Sequence, residues 1–242
     1  MSEMGDITSA AVGRRQQSCN EGPPVPAMLP QWAFEWFLRP ILSTLFKIFF
    51  RLRLTGVENI PLDTSRGLII AANHQTYFDP FWVSAPVKRP VRYLAWNEAF
   101  KWPGLGRVLQ WLGAWPLQLE RSDPTAIRRA LHWLRSGGTV MIFPEGARAL
   151  ADGAVGKFKP GTARIALEAN VHVLPVTIRG GQRVWPRGRR WPRPAPVEII
   201  YHPLCTITPQ PGEDARQCAR RETERLAKII YSALNHETDR DS

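Results

Sequence analysis

The sequence predicts an α/β domain in which a mixed sheet is flanked by helices, preceded by an amphipathic helical segment at residues 31–52. Three observations carry that expectation. Apolar runs of strand length recur at 67–73, 91–96, 139–143, 171–178 and 197–202. Helical patterns with an apolar face fall between them, and that alternation builds layered α/β domains. At 31–52 the polar residues Glu35, Arg39, Ser43, Lys47 and Arg51 recur at every fourth position, which on a helix makes one narrow polar stripe in an otherwise apolar surface.

Taken in order, residues 1–30 read as a disordered tail. Gly22 and four prolines, Pro23, Pro24, Pro26 and Pro30, interrupt any apolar period there. Residues 31–52 follow. Charges at 35, 39 and 47 argue against a simple bilayer span, which needs about 20 mostly apolar residues. Pro40 is expected to kink or split the helix. An interfacial helix lying in a membrane surface fits the wide apolar arc, the alternative being a helix packed on the domain.

The α/β domain is expected over 53–237. GLIIAAN (67–73) reads as a buried strand and DPFWVSAP (79–86) as a short helix, with Asp79 as a candidate N-cap and Pro80 in its first turn. VRYLAW (91–96) is a strand, 97–112 a broken helical stretch, and GAWPLQL (113–119) a further strand. Asp123 and Pro124 start a helix that Gly137 ends, with Ile127, Ala130, Leu131 and Leu134 on its apolar face. TVMIF (139–143) is a buried strand and 160–170 a helix. VHVLPVTI (171–178) and VEIIYH (197–202) are strands, and a last helix spans about 213–235.

Composition narrows the chemistry. The 242 residues suffice for one substantial core, and 44% are hydrophobic. Three cysteines, with no CxxC, make no disulfide framework, and five scattered histidines show no metal-ligand spacing. The first residues lack the basic start and apolar core of a secretory signal, so a reducing, cytoplasmic setting is expected. A formal charge of +11 favours anionic partners, and ten tryptophans suit surfaces that are apolar on one side and wet on the other.

Two strand-end turns carry candidate chemistry. The first is Asn73-His74-Gln75-Thr76-Tyr77-Phe78-Asp79. Ligands of α/β sheets sit outside the carboxyl ends of strands. Histidine changes charge near neutral pH, and a carboxylate on one ring nitrogen leaves the other free as a base. On one continuous helix residues five apart point about 140° apart, so His74 and Asp79 need a turn between them to meet. The second is Phe143-Pro144-Glu145-Gly146-Ala147-Arg148. Gly146 permits a tight turn, Arg148 offers a donor fork suited to phosphate, and Glu145 is expected to hold that arginine.

Together, His74-x4-Asp79 and FPEGAR at 143–148 resemble the 1-acylglycerol-3-phosphate acyltransferase (lysophosphatidate acyltransferase) family, of the glycerolipid acyltransferase group. The resemblance runs over about residues 55–200 and includes LPVTI at 174–178, a hydrophobic strand with a central proline, Pro175. It implies an O-acyltransferase that gives phosphatidic acid. His74 would be the general base and Asp79 its orienting carboxylate. Glu145, Gly146, Arg148 and Arg121 would bind the acceptor's phosphate, with Asn73 and Pro175 in support. It implies no bound cofactor and no metal; acyl-coenzyme A or acyl carrier protein is the co-substrate, and a lysophospholipid the acceptor. The chain departs from the family pattern in two places. Ala147 and Ala149 stand where hydroxyl residues are usual, and Gly113 and Arg121 lie eight apart instead of about six. Another lysolipid or hydroxylated lipid as acceptor, and an inactive lipid-binding homologue, stay open as alternatives.

Between 177 and 197 six arginines, Arg179, Arg183, Arg187, Arg189, Arg190 and Arg193, meet no acid, with Trp185 and Trp191 among them. An anionic membrane surface, donor docking, nucleic acid and a plain solvated loop all suit such a segment. No nucleic-acid-binding motif accompanies it, so lipid is the expected partner and nucleic acid is not. The expected location is the cytoplasmic face of a membrane, peripheral or monotopic.

Overall fold

The computed structural model describes residue 37 and residues 39–96, 109, 112–117, 123–149, 155–186 and 188–235. The tail 1–30, Arg121, Arg187 and most of the expected helical stretch 97–112 lie outside the described residues.

A seven-stranded sheet organises the chain, in the order β1-β7-β6-β2-β5-β3-β4. Its strands are β1 (Arg53–Thr55), β2 (Leu68–Ala72), β3 (Val91–Trp96), β4 (Ala114–Leu117), β5 (Thr139–Ile142), β6 (His172–Arg179) and β7 (Glu198–Tyr201). Neighbours from β6 to β4 pair in parallel, β6 and β7 pair antiparallel, and β1 runs parallel to β7. The sheet is therefore mixed, as expected. β2, at the centre, is buried along its whole length, which explains why it reads as an unbroken apolar run.

The helices are α1 (Arg39–Phe50), α2 (Asp79–Ser84), α3 (Pro124–Arg135), α4 (Gly161–Ala169), α5 (Gly181–Val184) and α6 (Ala215–Asn235). Alternate residues of β2 enter two separate cores. Leu68, Ile70 and Ala72 pack with Phe46, Phe50 and Trp82 of α1 and α2, whereas Ile69 and Ala71 pack with Leu131, Leu134, Ile165 and Leu226 of α3, α4 and α6. α3 starts where expected, with the Asp123 carboxylate accepting from the Ala126 N–H at 3.0 Å.

The second half of the 31–52 segment is described as α1, with Pro40 in its first turn, where a missing N–H costs nothing. This helix is half docked. Phe46 and Phe50 are buried against Phe78 and Trp82, with ring centroids 5.2 to 6.4 Å apart. Ile41, Leu45, Ile48 and Phe49 remain exposed, Ile48 at 74%. Among the described residues no helix is long and apolar enough to cross a membrane.

Candidate active site

Sheet register brings the two motif segments together. β2 and β5 are adjacent and parallel, with Ala71 opposite Ile142, so the turns that follow them emerge side by side. Asn73 prolongs the sheet after the β2 backbone has left it. Its Nδ2 donates to the Ile178 carbonyl at 2.9 Å, and its Oδ1 accepts from the Ile178 N–H at 2.7 Å. Gln75 ties the turn to the start of α5 by accepting from the Gly181 N–H at 2.7 Å. A Cβ at Gly181 would lie 2.7 Å from that same Gln75 oxygen, so the approach requires glycine. Pro175 sits in β6 opposite Ala71, and its carbonyl accepts from the His202 N–H.

His74 and Asp79 meet. The His74 Nδ1 is 2.8 Å from Asp79 Oδ2. Asp79 is fully buried, whereas the His74 side chain keeps 19% exposure. Asp79 is not a helix N-cap as expected: Phe78 precedes the helix, and the carboxylate turns back over its own loop. Its Oδ2 also accepts from the N–H groups of Gln75 and Thr76, at 2.5 and 2.8 Å, and its Oδ1 from the Thr76 hydroxyl at 2.7 Å. These bonds curl the five-residue span so that a helix-start residue faces a strand-end residue. A carboxylate accepts from Nδ1–H, which leaves the lone pair on Nε2. The imidazole is also stacked on Phe143, with centroids 4.0 Å apart.

Glu145 departs from expectation. Its Oε1 accepts from the His74 N–H at 2.8 Å and its Oε2 from the Gly156 N–H at 2.7 Å, so it is a buried brace between backbones and does not hold Arg148. Burial pushes its pKa up, and those two N–H bonds pull it part of the way back. An acceptor-only carboxylate spent on two N–H groups is no direct phosphate ligand. Gly146 takes a left-handed φ of 71°, and a Cβ there would lie 2.9 Å from the Lys159 Nζ. Lys159 therefore brings a second cation to the turn. The sequence reading missed it, although the FKPG at 158–161 carries a basic residue just ahead of a helix.

Arg148 rests on Tyr77, inside the His74–Asp79 turn. Its Nη2 donates to the Tyr77 hydroxyl at 3.0 Å, and its guanidinium carbon stands 3.8 Å from the ring centre. Trp185, expected to face lipid headgroups, is instead half-buried against Tyr77 and Phe78, at 5.2 and 5.4 Å between centroids. Trp191 is exposed, as are Arg189 and Arg190. Arg179 is balanced from outside its segment: it pairs with Glu198 at 2.8 Å and caps the Ala233 carbonyl. Among the described residues no cluster of His, Cys, Asp or Glu could hold a metal. The assembly thus offers a base on Nε2, a fixed carboxylate behind it, Arg148 on the Tyr77 of the same turn, and Lys159 at the Gly146 turn.

The His74–Asp79 pair stands at the carboxyl end of the central strand of an α/β sheet. The family model described as Acyltransferase matches residues 51–179, and the chain belongs to that family. A 1-acyl-sn-glycerol-3-phosphate acyltransferase of Pseudomonas aeruginosa is 30% identical over 158 residues, 63% of this chain and 58% of that protein. A chloroplastic 1-acyl-sn-glycerol-3-phosphate acyltransferase of Arabidopsis thaliana is 28% identical over 142 residues, 58% of this chain and 39% of that protein. The chain thus spans less than two thirds of the length of either relative. The crystal structure of the 1-acyl-sn-glycerophosphate (LPA) acyltransferase PlsC from Thermotoga maritima shares the fold. Its TM-score is 0.63 at 23% identity, covering 97% of this chain and 90% of that one.

Proposed function

We propose that this chain is an O-acyltransferase that moves a fatty acyl group from acyl-coenzyme A or acyl carrier protein onto the free hydroxyl of 1-acyl-sn-glycerol-3-phosphate, giving phosphatidic acid. The observation that carries the reading is the 2.8 Å bond between His74 Nδ1 and buried Asp79, in a turn whose Tyr77 receives Arg148. His74 Nε2 takes the proton of the acceptor hydroxyl as its oxygen attacks the thioester carbonyl. Asp79 stabilises the imidazolium, and the tetrahedral intermediate collapses with loss of the thiolate. The proton then passes from Nε2 to that sulfur, leaving an ester and a free thiol. No acyl-enzyme is needed, and Cys205 and Cys218 are both buried in the core. Arg148, and Lys159 with it, hold the acceptor phosphate.

The acceptor is reached at the cytoplasmic face of a membrane. The exposed ridge of α1 supports this, because Phe46 and Phe50 dock the helix on Phe78, within the His74–Asp79 turn. Exposed Arg189, Arg190 and Trp191 suit anionic headgroups. The test assays purified protein with both donors against lysophosphatidate, other lysophospholipids and monoacylglycerol. The reading predicts fastest transfer to lysophosphatidate, abolished in His74→Ala. Equal transfer to phosphate-free acceptors, or a folded His74→Ala protein of normal activity, overturns it.

A further inference from the structure

Tyr77 stands in the middle of the His74–Asp79 turn with its side chain 57% exposed. A tyrosine so exposed is ordinarily a loose surface group, but this one is held from two sides. Trp185 packs edge-on against the ring, at 5.2 Å and 72°. Arg148 lies over the ring, 3.8 Å from its centre, and also donates to the hydroxyl. Trp185 is itself anchored, its Nε1–H donating to the Arg189 carbonyl at 2.8 Å. Side chains from three separate segments are thereby packed into one unit on the His74–Asp79 turn.

That unit has unused donors. The Tyr77 oxygen accepts from Arg148 and so keeps its own proton to give, and no acceptor for it stands among the described residues. Arg148 meets no carboxylate among the described residues, since Glu145 is committed to the backbone N–H groups of His74 and Gly156. Ala147 and Ala149, on either side of Arg148, bring no hydroxyl. A phosphate monoester presents three strong acceptor oxygens, more than one guanidinium fork satisfies. The phenol of Tyr77 lies within hydrogen-bond distance of that fork.

We propose that Tyr77 is a specificity-determining residue for the acceptor. Its ring supports the Arg148 guanidinium, and its hydroxyl donates a hydrogen bond to the acceptor's phosphate. The proposal rests on the reading of Arg148 as a phosphate ligand. It also explains why an aromatic so exposed is backed by Trp185: a guanidinium laid on a fixed ring loses less freedom when it binds.

The experiment measures kcat and KM of Tyr77→Phe, Tyr77→Leu and Arg148→Ala in mixed micelles, with lysophosphatidate and with monoacylglycerol as acceptors. Tyr77→Phe keeps the shelf and loses the donor, so KM for lysophosphatidate rises about tenfold, the size of one hydrogen bond to a charged group, while kcat moves less. Tyr77→Leu removes the shelf too and approaches Arg148→Ala. KM for the acyl donor stays put, and the preference for lysophosphatidate over monoacylglycerol narrows in every variant. If Tyr77→Leu folds poorly in a thermal melt, Tyr77→Phe alone decides the matter. A normal KM in Tyr77→Phe overturns the proposal. A lowered KM also does so, because Tyr77 would then be competing with phosphate for Arg148. If Arg148→Ala itself binds lysophosphatidate normally, the phosphate reading of Arg148 fails first. A raised KM in Arg148→Ala with Tyr77→Phe unchanged sinks only the role of Tyr77.

Discussion

The imidazole of His74 lies on the ring of Phe143 with the two planes 16° from parallel. One face of the histidine is thereby covered and Nδ1 is taken by Asp79, so the Nε2 edge is the part left for a substrate. The two members of the pair differ in what they support. His74→Ala is expected to cost at least about 100-fold in turnover, the lower range for a general base, with little change in melting temperature. Asp79→Ala should lose activity and stability together, because it strands the buried N–H groups of Gln75 and Thr76. Each costs about 1–3 kcal/mol when unpaired. Paired activity and thermal-melt measurements check this; an Asp79→Ala protein as stable as wild type contradicts it.

Gly146→Ala tests the second turn. A non-glycine residue in the left-handed region costs about 1–2 kcal/mol, and the added methyl would also displace the Lys159 ammonium. A modest fall in melting temperature and a raised KM for lysophosphatidate are expected. Lys159→Ala should reproduce the KM change without the loss of stability. If Lys159→Ala leaves KM unchanged, Lys159 takes no part in holding the acceptor.

The ridge on α1 invites a surface experiment. Ile41, Leu45 and Ile48 are exposed, so replacing all three by serine should barely alter the melting temperature. Each loses apolar groups worth about 0.8 kcal/mol per buried CH2 in a bilayer interface, so co-sedimentation with liposomes should fall more than tenfold. Unchanged sedimentation would show that α1 does not face lipid.

His202 supplies a pH dependence of stability. Its ring accepts burial as neutral imidazole, with Nε2–H donating to the Thr177 hydroxyl at 2.8 Å, and Thr177 donating in turn to the Ile230 carbonyl of α6. Burial, and then the charge of Arg179, lower its pKa below the ordinary 6.5. Because the unfolded chain then binds the proton more readily, this contribution is complete above pH 6.5 and is lost as pH falls from there through the lowered folded value. Thermal melts of wild type and His202→Gln across that window should converge as the pH drops. A difference that does not vary with pH refutes the assignment.

The sequence made the sheet legible where strands are central. β2 and β5 are buried on both faces, so their apolar runs are unmistakable. β1 was not anticipated: among the described residues its three residues pair with β7 alone, whose register partner for Arg53 is Glu198, far along the chain. Within the site, the meeting of His74 and Asp79 could be anticipated from a strand–turn–helix pattern. The duty of Glu145 could not, because its partners are main-chain N–H groups, which leave no mark in residue identity. Trp185 misled for a related reason. An arginine-rich neighbourhood suggests a ring facing lipid headgroups, whereas Tyr77 and Phe78, which cover this ring, come from a segment over 100 residues earlier.

The main-chain groups of His74 are claimed by the second motif and the residue after it: its N–H is taken by Glu145, and its carbonyl accepts from the Ala149 N–H at 2.7 Å. The histidine is thus clamped by chain that arrives some 70 residues later, at the end of a strand, β5, that sits between β2 and the β3 supplied by the residues between. The stretch joining them builds part of the same sheet and core, so an insertion should leave the clamp untouched only where it falls between those elements. Each motif, by contrast, is the other's mould. Damage to the FPEGAR backbone should misplace a histidine that was never mutated, and a protein that loses one motif has little physical reason to keep the shape of the other.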